Sequence, residues 1–490
     1  MAGIGFRLQK LFQEDYFSSR LKAFAFAGLV TSGPWLIIIT SIACIQWLTS
    51  SLTQVSLEER ELFNIAVSYC FIFSQVLLGL QQLIVTRYVA DLFYEKQFSY
   101  AFSTCIGMSK ITLAIAIMAW GLFAWFSPLP FLYKLALLTL FITINLIWVL
   151  FLFLSAAKNY QAVAYSFAAG GITAIALVYT LGQNTWSGAW MDHSTSFLLI
   201  VGFTMGMLIT LFGLFMAMLV TFPIRETKNQ YQFLSYYDKY PSLFWTGFLY
   251  NMGIWVCNWV IWFGEGNATL VDTFIYNRVY DTAIFWSYLT IIPTLIIFVV
   301  SVETRFYERY RVFYGYINEG GTLQQIKRAK SSMRIVLRQE MERLIRSQGI
   351  VTLLLILTAG YLFTALSLEP LILNIFRLTT IGAFSNGMVL VITLLLLYFE
   401  DRRGAMYTSI LFFCCNLFLS VLFLPMGVQG YGLSFSIGST IAFLYSIIRL
   451  IVFLQDVDYH AFCRPHDLSL KLPNRSFTRL AALLDKKKIL

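Results

Sequence analysis

The sequence SLFWTGFLYNMGIWVCNWVIWF, residues 242–263, runs for 22 residues without a charged side chain. A helix of that length extends about 33 Å, which is enough to cross the ~30 Å hydrocarbon core of a bilayer. The stretch therefore predicts a membrane-spanning helix. It decides the fold class because runs of similar character recur along the whole chain.

The overall composition is that of an integral membrane protein. Of the 490 residues, 58% are hydrophobic and only 12% are charged, whereas a soluble domain carries about 25% charged residues. The first apolar run, residues 23–48, is too long for a cleavable signal and lacks a cleavage site, so it is predicted to be a membrane helix. The net charge of +10 belongs to the loops and does not indicate a nucleic-acid partner.

Twelve apolar runs are each long enough to span a bilayer. If the N-terminus is inside, 29 Lys and Arg side chains lie in inner segments and 4 in outer loops. Positive residues concentrate on the cytoplasmic side, so both termini are predicted to be cytoplasmic. The predicted spans are residues 23–48, 63–86, 106–126, 135–157, 162–181, 196–222, 241–263, 281–302, 349–366, 378–399, 406–424 and 431–455.

The chain also divides into two halves of similar plan. The string FYEK follows the second span at Phe93–Lys96, and FYER follows the eighth at Phe306–Arg309. Repeated halves are a common transporter plan, so we predict an all-α protein with two six-helix lobes around a central cavity. The predicted domains are an interfacial N-terminal helix (1–22), an N-lobe (23–222), a cytoplasmic linker (223–240), a C-lobe (241–455), and a basic, partly disordered cytoplasmic tail lying against the membrane (456–490).

One face of the helix predicted at residues 242–263 combines amides with indoles. At ~100° per residue its five members fall within roughly 100° of one another. Sugars suit such a face, because pyranose rings stack on indoles while hydroxyls bond to amides; packing against a neighbouring helix is the open alternative. The candidate substrate contacts are Asn251, Trp255, Asn258, Trp259 and Trp262, with Arg278 and Asp281 expected near the outer mouth of the cavity.

Polar residues inside the other spans are uncharged. No acidic residue lies near the middle of any predicted span, whereas proton- or sodium-driven carriers usually keep a carboxylate there. This pattern argues against a small-cation or drug antiporter and suits a neutral translocated species. The amides concerned are Asn64, Gln75, Asn145, Asn251, Asn258, Asn386 and Asn416.

Three residues are predicted to kink spans. Gly33 and Pro34 lie in the first span and Pro293 lies in the eighth, where each proline removes one backbone hydrogen bond. Such kinks let a lobe bend, although they also occur in static bundles.

A basic helix is predicted in the longest cytoplasmic loop, at residues 322–347. Its apolar face holds Ile326, Met333, Leu337, Met341 and Leu344. Two interpretations stay open, namely contact with anionic lipid and docking of a cytoplasmic partner. The candidate docking residues are Lys327, Arg328, Lys330, Arg334 and Arg338.

No motif for catalysis, cofactors or metals is present. The chain lacks a phosphate-binding GxxxxGK[ST] and an HExxH, and its cysteines have no metal-ligand spacing. Asp456-Val457-Asp458 has the form of a nucleotide-sugar DxD but stands without a catalytic domain. The outer loops are short, which argues against a membrane-embedded polymerase, so we predict neither enzymatic activity nor a cofactor.

Three strings resemble the PelG family of Pel exopolysaccharide transporters, in the multidrug/oligosaccharidyl-lipid/polysaccharide flippase superfamily. They are MAGIGFRLQKLF at the start, AGLVTSGPW in the first span, and YDTAIFWSYLTIIPTLIIFVVSVETRFYERYRVFY at Tyr280–Tyr314. The resemblance covers roughly residues 1–460.

The resemblance implies a role in export and a set of partners. It implies a bacterial cytoplasmic (inner) membrane protein that exports an N-acetylgalactosamine-rich polysaccharide and contributes to biofilm formation. The implied partners are a cytoplasmic glycosyltransferase and small membrane subunits, one of which senses cyclic di-GMP. Two alternatives stay open: a flippase for lipid-linked oligosaccharides, and a non-transporting scaffold that anchors a glycosyltransferase.

Overall fold

The computed structural model describes residues 17–51, 55–183, 193–222, 229–365, 369–463 and 476–486. Most of the predicted interfacial helix at residues 1–22 lies outside these ranges. In chain order the helices are α1 (Phe17–Ser51), α2 (Leu57–Gly79), α3 (Gln82–Tyr94), α4 (Ser99–Phe126), α5 (Phe131–Ala156), α6 (Tyr160–Gln183), α7 (Ser194–Thr221), α8 (Ser235–Lys239), α9 (Pro241–Ile261), α10 (Arg278–Leu289), α11 (Ile292–Ser301), α12 (Tyr307–Asn318), α13 (Leu323–Ala365), α14 (Pro370–Tyr398), α15 (Arg402–Phe423), α16 (Leu433–Gln455), α17 (Val457–Cys463) and α18 (Ser476–Lys486).

The predicted all-α membrane architecture is confirmed. Among the described residues, 10 helical segments are long and apolar enough to cross a membrane, with α10 and α11 together forming one of them. Two further predicted spans correspond to the apolar part of α1 at Leu36–Ser50 and to α9. With 21 residues, α9 is about 32 Å long, which is enough to cross the hydrocarbon core of a bilayer, and it has no charged side chain.

Two of the predicted spans are broken helices. The second span bends between α2 and α3 at Leu80–Gln81, where the Tyr237 hydroxyl donates to the Leu80 carbonyl at 3.1 Å. The eighth span breaks between α10 and α11, where the Gln348 side-chain amide donates to the Thr290 carbonyl at 2.8 Å. A carbonyl released from its helix must find another donor inside a membrane, so each break has a polar side chain that satisfies it.

The basic helix and the ninth span are one continuous helix. α13 has 43 residues, which corresponds to a rod about 65 Å long. The separate surface helix predicted at 322–347 is therefore wrong in its boundary, because Gly349 alone does not interrupt a helix that contains no proline. The five residues of its predicted apolar face are all buried.

The outer loop predicted between the seventh and eighth spans contains a β-hairpin. Strands β1 (Ala268–Leu270) and β2 (Phe274–Tyr276) pair antiparallel, with Thr269 opposite Ile275. The Tyr69 hydroxyl on α2 accepts from the Ile275 amide at 3.1 Å, which fixes the hairpin to that helix. No pattern in the sequence predicted these short strands.

The chain forms two compact units. The N-unit comprises the described parts of residues 33–255, 268–276 and 470–490, and the C-unit those of residues 1–32, 256–267 and 277–469. The division falls inside α1, between Ser32 and Gly33, and inside α9, between Trp255 and Val256. The lobe boundaries predicted from the spans stay a prediction.

The end of the chain is more ordered than the sequence suggested. Within the predicted tail, residues 457–463 and 476–486 are helical. α18 packs in the N-unit, where Ala481 is only 6% exposed and belongs to the hydrophobic core. α18 is thus an ordered part of the predicted tail, and the expectation that the tail is partly disordered and lies against the membrane stays a prediction.

Candidate substrate-contact site

The first half of the amide–indole face of α9 lies in the N-unit. The Trp255 indole N–H donates to the Gln75 side-chain carbonyl on α2 at 2.9 Å. One turn earlier, the Asn251 amide donates to the Gly247 carbonyl of its own helix at 2.8 Å. A Cβ on Gly79 would lie 3.0 Å from the Gly247 carbonyl oxygen, so α2 and α9 cross with their backbones nearly in contact. This crossing holds Trp255 against Gln75.

The second half of the face lies in the C-unit and converges on Asp281. The Asn258 amide donates to Asp281 Oδ1 at 2.8 Å. The Trp262 indole N–H lies 3.1 Å from Oδ1 and 3.0 Å from Oδ2 of the same carboxylate. The backbone N–H of Asn277 donates to Oδ2 at 3.1 Å, where Asp281 sits in the first turn of α10. Three donors and the helix N-terminus together stabilise this carboxylate.

The residues of the predicted site therefore fall into two classes by burial. Asn258 and Trp262 are buried and act as anchors that position the end of α9 against α10. Trp255 and Trp259 are half-buried, so each indole has surface left for another ring. None of the five residues of the amide–indole face is exposed. Arg278 is exposed, one turn before Asp281 on α10.

One buried acceptor on the amide–indole face has no hydrogen-bond partner within the described residues. The side-chain oxygen of Asn258 is fully buried and has no hydrogen-bond partner there, while its NH₂ is bound to Asp281. An unpaired buried carbonyl carries a free-energy cost of about 1–3 kcal/mol. A hydroxyl that reached it would remove that cost.

The predicted kink residues lie at different kinds of position. Gly33 and Pro34 are buried within the continuous helix α1. Pro293 occupies the first turn of α11, directly after the break at Thr290–Ile291. Proline is favoured at that position, because the backbone N–H groups in the first turn of a helix have no acceptor within the helix.

The predicted docking residues on α13 also divide. Lys330 Nζ bonds to Asp458 Oδ1 at 2.6 Å and to the Gln455 carbonyl at 2.7 Å, so this lysine joins α13 to the end of α16 and to α17. Arg338 pairs with Glu342 at 2.7 Å on the exposed surface. The remaining members, Lys327, Arg328 and Arg334, are exposed.

Electrostatics at the Lys330 contact stabilise the charged pair. Burial pushes the pKa of the Asp458 carboxyl upward, but the hydrogen bond and charge of Lys330 outweigh it and lower that pKa below its usual value. The Asp458 carboxylate thus stays ionised at neutral pH. Asp458, considered above as part of a DxD motif, is an ion-pair partner here.

The partners of the amide–indole face are not evident from the sequence. Gln75 is one of several amides within the predicted spans, and nothing in the sequence pairs it with Trp255. The neighbouring Ser74 hydroxyl accepts from the Trp148 indole at 3.1 Å, so α2 presents two polar side chains to two indoles. Within the described ranges, no group of three His, Cys, Asp or Glu side chains could hold a metal ion.

A family profile matches nearly the whole chain. The profile of PelG, described as "Putative exopolysaccharide Exporter (EPS-E)", covers residues 1–462. The chain belongs to the PelG family. α18 lies beyond the residues that the family profile matches. No curated protein sequence matches this PelG-family chain.

Solved structures share the fold of this PelG-family chain at low sequence identity. A MATE transporter in its bent conformation matches with a TM-score of 0.60 at 13% identity, covering 91% of this chain and 97% of its own. An outward-facing multidrug resistance MATE transporter of the MOP superfamily matches with a TM-score of 0.59 at 13% identity, covering 88% and 96%. A MOP superfamily transporter from Pyrococcus furiosus matches with a TM-score of 0.58 at 13% identity, covering 89% and 96%.

These similarities establish a transporter fold of twelve helices. Together, family and fold support transport of a polysaccharide by a multi-pass membrane protein.

Proposed function

We propose that this chain exports a Pel-like polysaccharide rich in N-acetylgalactosamine across the bacterial cytoplasmic membrane, by way of the central cavity predicted from the sequence. The observation that carries the proposal is the half-buried Trp255 indole, hydrogen-bonded through its edge to Gln75. An indole fixed at its N–H keeps its ring orientation, so its face is ready to stack on a sugar ring without losing rotamer entropy.

The chemistry of the site suits a neutral polymer. Amides and indoles contact hydroxyl and acetamido groups without requiring a charge on the sugar. Asp281, which the sequence places among the substrate contacts, has its carboxylate bonded to Asn258, Trp262 and Asn277. We therefore assign Trp255 and Trp259 to sugar stacking, and Asp281 to positioning the end of α9.

The test is polymer secretion by a Trp255→Ala/Trp259→Ala double variant in cells whose synthase is active. We expect secretion to fall at least ten-fold while the amount of protein in the membrane stays normal. Trp245→Ala is the matched control, because Trp245 lies on the same helix but is 46% exposed. Secretion at the wild-type level by the double variant would refute the stacking assignment.

The same cells separate the proposal from its two rivals. Loss of export by this chain predicts polymer that accumulates inside the cell. Accumulation of lipid-linked repeat units instead would identify a lipid-linked oligosaccharide flippase. Loss of polymer synthesis itself, with neither product inside, would identify a scaffold for the glycosyltransferase.

We further propose that the basic face of α13 docks the cytoplasmic glycosyltransferase through an acidic surface. α13 continues the ninth span without a break, so its basic end projects along the axis of that span. A helix in that direction carries its basic residues away from a lipid surface, which favours a protein partner over anionic lipid. Exposed Leu323 and Ile335 lie among the basic side chains and add apolar contact area. The small membrane subunits, including the cyclic di-GMP sensor, are proposed as further members of this assembly.

Co-purification tests the docking surface. Charge reversal with Arg334→Glu and Arg338→Glu is expected to release the glycosyltransferase from the detergent-solubilised complex. Arg346→Glu is the control, because this exposed arginine lies on the same helix nearer the ninth span. A complex that survives the double reversal would refute docking at this face, and binding to anionic vesicles lost in the same variant would indicate lipid instead.

A further inference from the structure

The C-terminal helix α18 is held in the N-unit by side chains of the segment at residues 229–240. Asp238 Oδ2 accepts from both the backbone N–H and the hydroxyl of Thr478, each at 2.8 Å. At the other end of the helix, the backbone N–H of Tyr231 donates to Asp485 at 3.4 Å. A carboxylate that accepts one backbone N–H and one hydroxyl at the first turn of a helix caps that turn and fixes the register of the helix.

Apolar contacts fill the space between these two polar attachments. The Phe477 ring stacks on Tyr237 with centroids 5.3 Å apart and 27° between their planes. Ala481 is 6% exposed and lies in the core, with Leu484 packed against it. The contacts at positions 477, 481 and 484 recur every three to four residues, which is the spacing of one helix face laid into a groove.

Tyr237 connects the docked helix to the membrane part of the N-unit. Its ring carries Phe477, and its hydroxyl donates to the carbonyl of Leu80 at the break in the second span. Burial raises the pKa of this hydroxyl, so it stays protonated and able to donate at physiological pH. Tyr237, which donates to the free carbonyl at the break, is therefore itself in contact with α18.

We propose that residues 231–238 form a binding site for an amphipathic helix, that the chain's own C-terminal helix occupies it, and that its occupancy holds Tyr237 at the Leu80 break. The site is an intramolecular latch on the segment that leads into α9. The binding residues lie within residues 1–462, which the PelG family profile matches, whereas the helix that occupies the site, α18, lies beyond them.

Hydrogen–deuterium exchange on the purified full-length protein tests the latch. Ala481→Glu places a charge in the core side of α18, whereas Ala482→Glu, the matched control, changes the adjacent exposed residue. We expect peptides covering residues 229–240 and the break at Leu80 to exchange at least ten-fold faster in Ala481→Glu and at the wild-type rate in Ala482→Glu. Equal exchange in all three proteins would overturn the proposal.

A milder variant and a peptide make the result independent of misfolding. Thr478→Val keeps the shape of the side chain and removes only its hydroxyl bond to Asp238, so exchange is expected to rise several-fold. A synthetic peptide of residues 476–486 added to the Ala481→Glu protein should restore protection, and the same peptide carrying Ala481→Glu should not. Failure of the wild-type peptide to restore protection would refute a binding site. The readout does not involve polymer, so a negative result leaves the proposed export function intact.

Discussion

Asp281→Ala is the sharpest test of the division between anchors and substrate contacts. The substitution removes the acceptor for the side chains of Asn258 and Trp262 and for the backbone N–H of Asn277. Asn258 and Asn277 are 2% and 1% exposed, and Trp262 is 6% exposed, so water cannot replace the carboxylate without opening the structure. The change is therefore expected to destabilise the C-unit.

The magnitude follows from those three donors. Each buried donor left unpaired costs about 1–3 kcal/mol, but the lost bonds are not additive, and removing the carboxylate also removes its own desolvation cost. We expect a loss of roughly 3–5 kcal/mol in the free energy of unfolding. At about 2–4 °C per kcal/mol for a unit of this size, the Tm in detergent should fall by roughly 6–20 °C. Asp281→Asn, which keeps one acceptor oxygen, should lose about half as much.

Thermal unfolding in detergent, measured beside polymer secretion, separates the two roles of Asp281. Asp272→Asn is the control, because it removes the same charge from an exposed residue in the hairpin turn and should leave Tm within about 1 °C. If Asp281→Ala abolished secretion but left Tm unchanged, Asp281 would be a direct sugar contact and the anchoring argument would fail.

Two further predictions concern packing and charge. Gly79→Ala places a Cβ 3.0 Å from the Gly247 carbonyl oxygen and should lower the free energy of unfolding by about 1–3 kcal/mol. Gly121→Ala is the control, because nothing lies within 4 Å of its Cβ, and it should leave the Tm unchanged or raise it slightly. Glu340→Gln removes the charge of a carboxylate that is 4% exposed and paired with two arginines. Because those arginines are half-exposed and can be hydrated, we expect the free energy of unfolding to fall by only about 1–2 kcal/mol. A drop in Tm above 10 °C would contradict this expectation.

The membrane architecture was predictable because it depends on local composition. Runs such as residues 135–157 are long, largely apolar and without a charged side chain, and the bilayer favours a helix for such a segment. The spacing of Asn258 and Trp262, four residues apart, also placed both on one face of α9. Their shared partner Asp281 was named as a candidate, but its role as an anchor depends on how α10 packs against α9.

Other features depended on long-range contacts or were obscured by composition. Gln75 and Trp255 are 180 residues apart in sequence, and no periodicity relates them. The break at Leu80–Gln81 falls in a string with neither proline nor a charged residue, and Tyr237 satisfies it from a different segment. The continuity of α13 was hidden because the change from basic to apolar residues near Ser347 looked like a boundary, although helix propensity does not change there.

The length of α13 has a mechanical consequence. Gln348, which bonds to the Thr290 carbonyl at the break in the eighth span, lies on the same rod as Arg334, about 21 Å away along the helix axis. Because an unbroken helix resists bending, a torque applied at the basic end is transmitted to Gln348 rather than absorbed between them. A glycosyltransferase bound at the basic end of α13 would transmit its movements through this helix to the break in the eighth span. Polymer synthesis and the conformation of the membrane helices would then be coupled through α13.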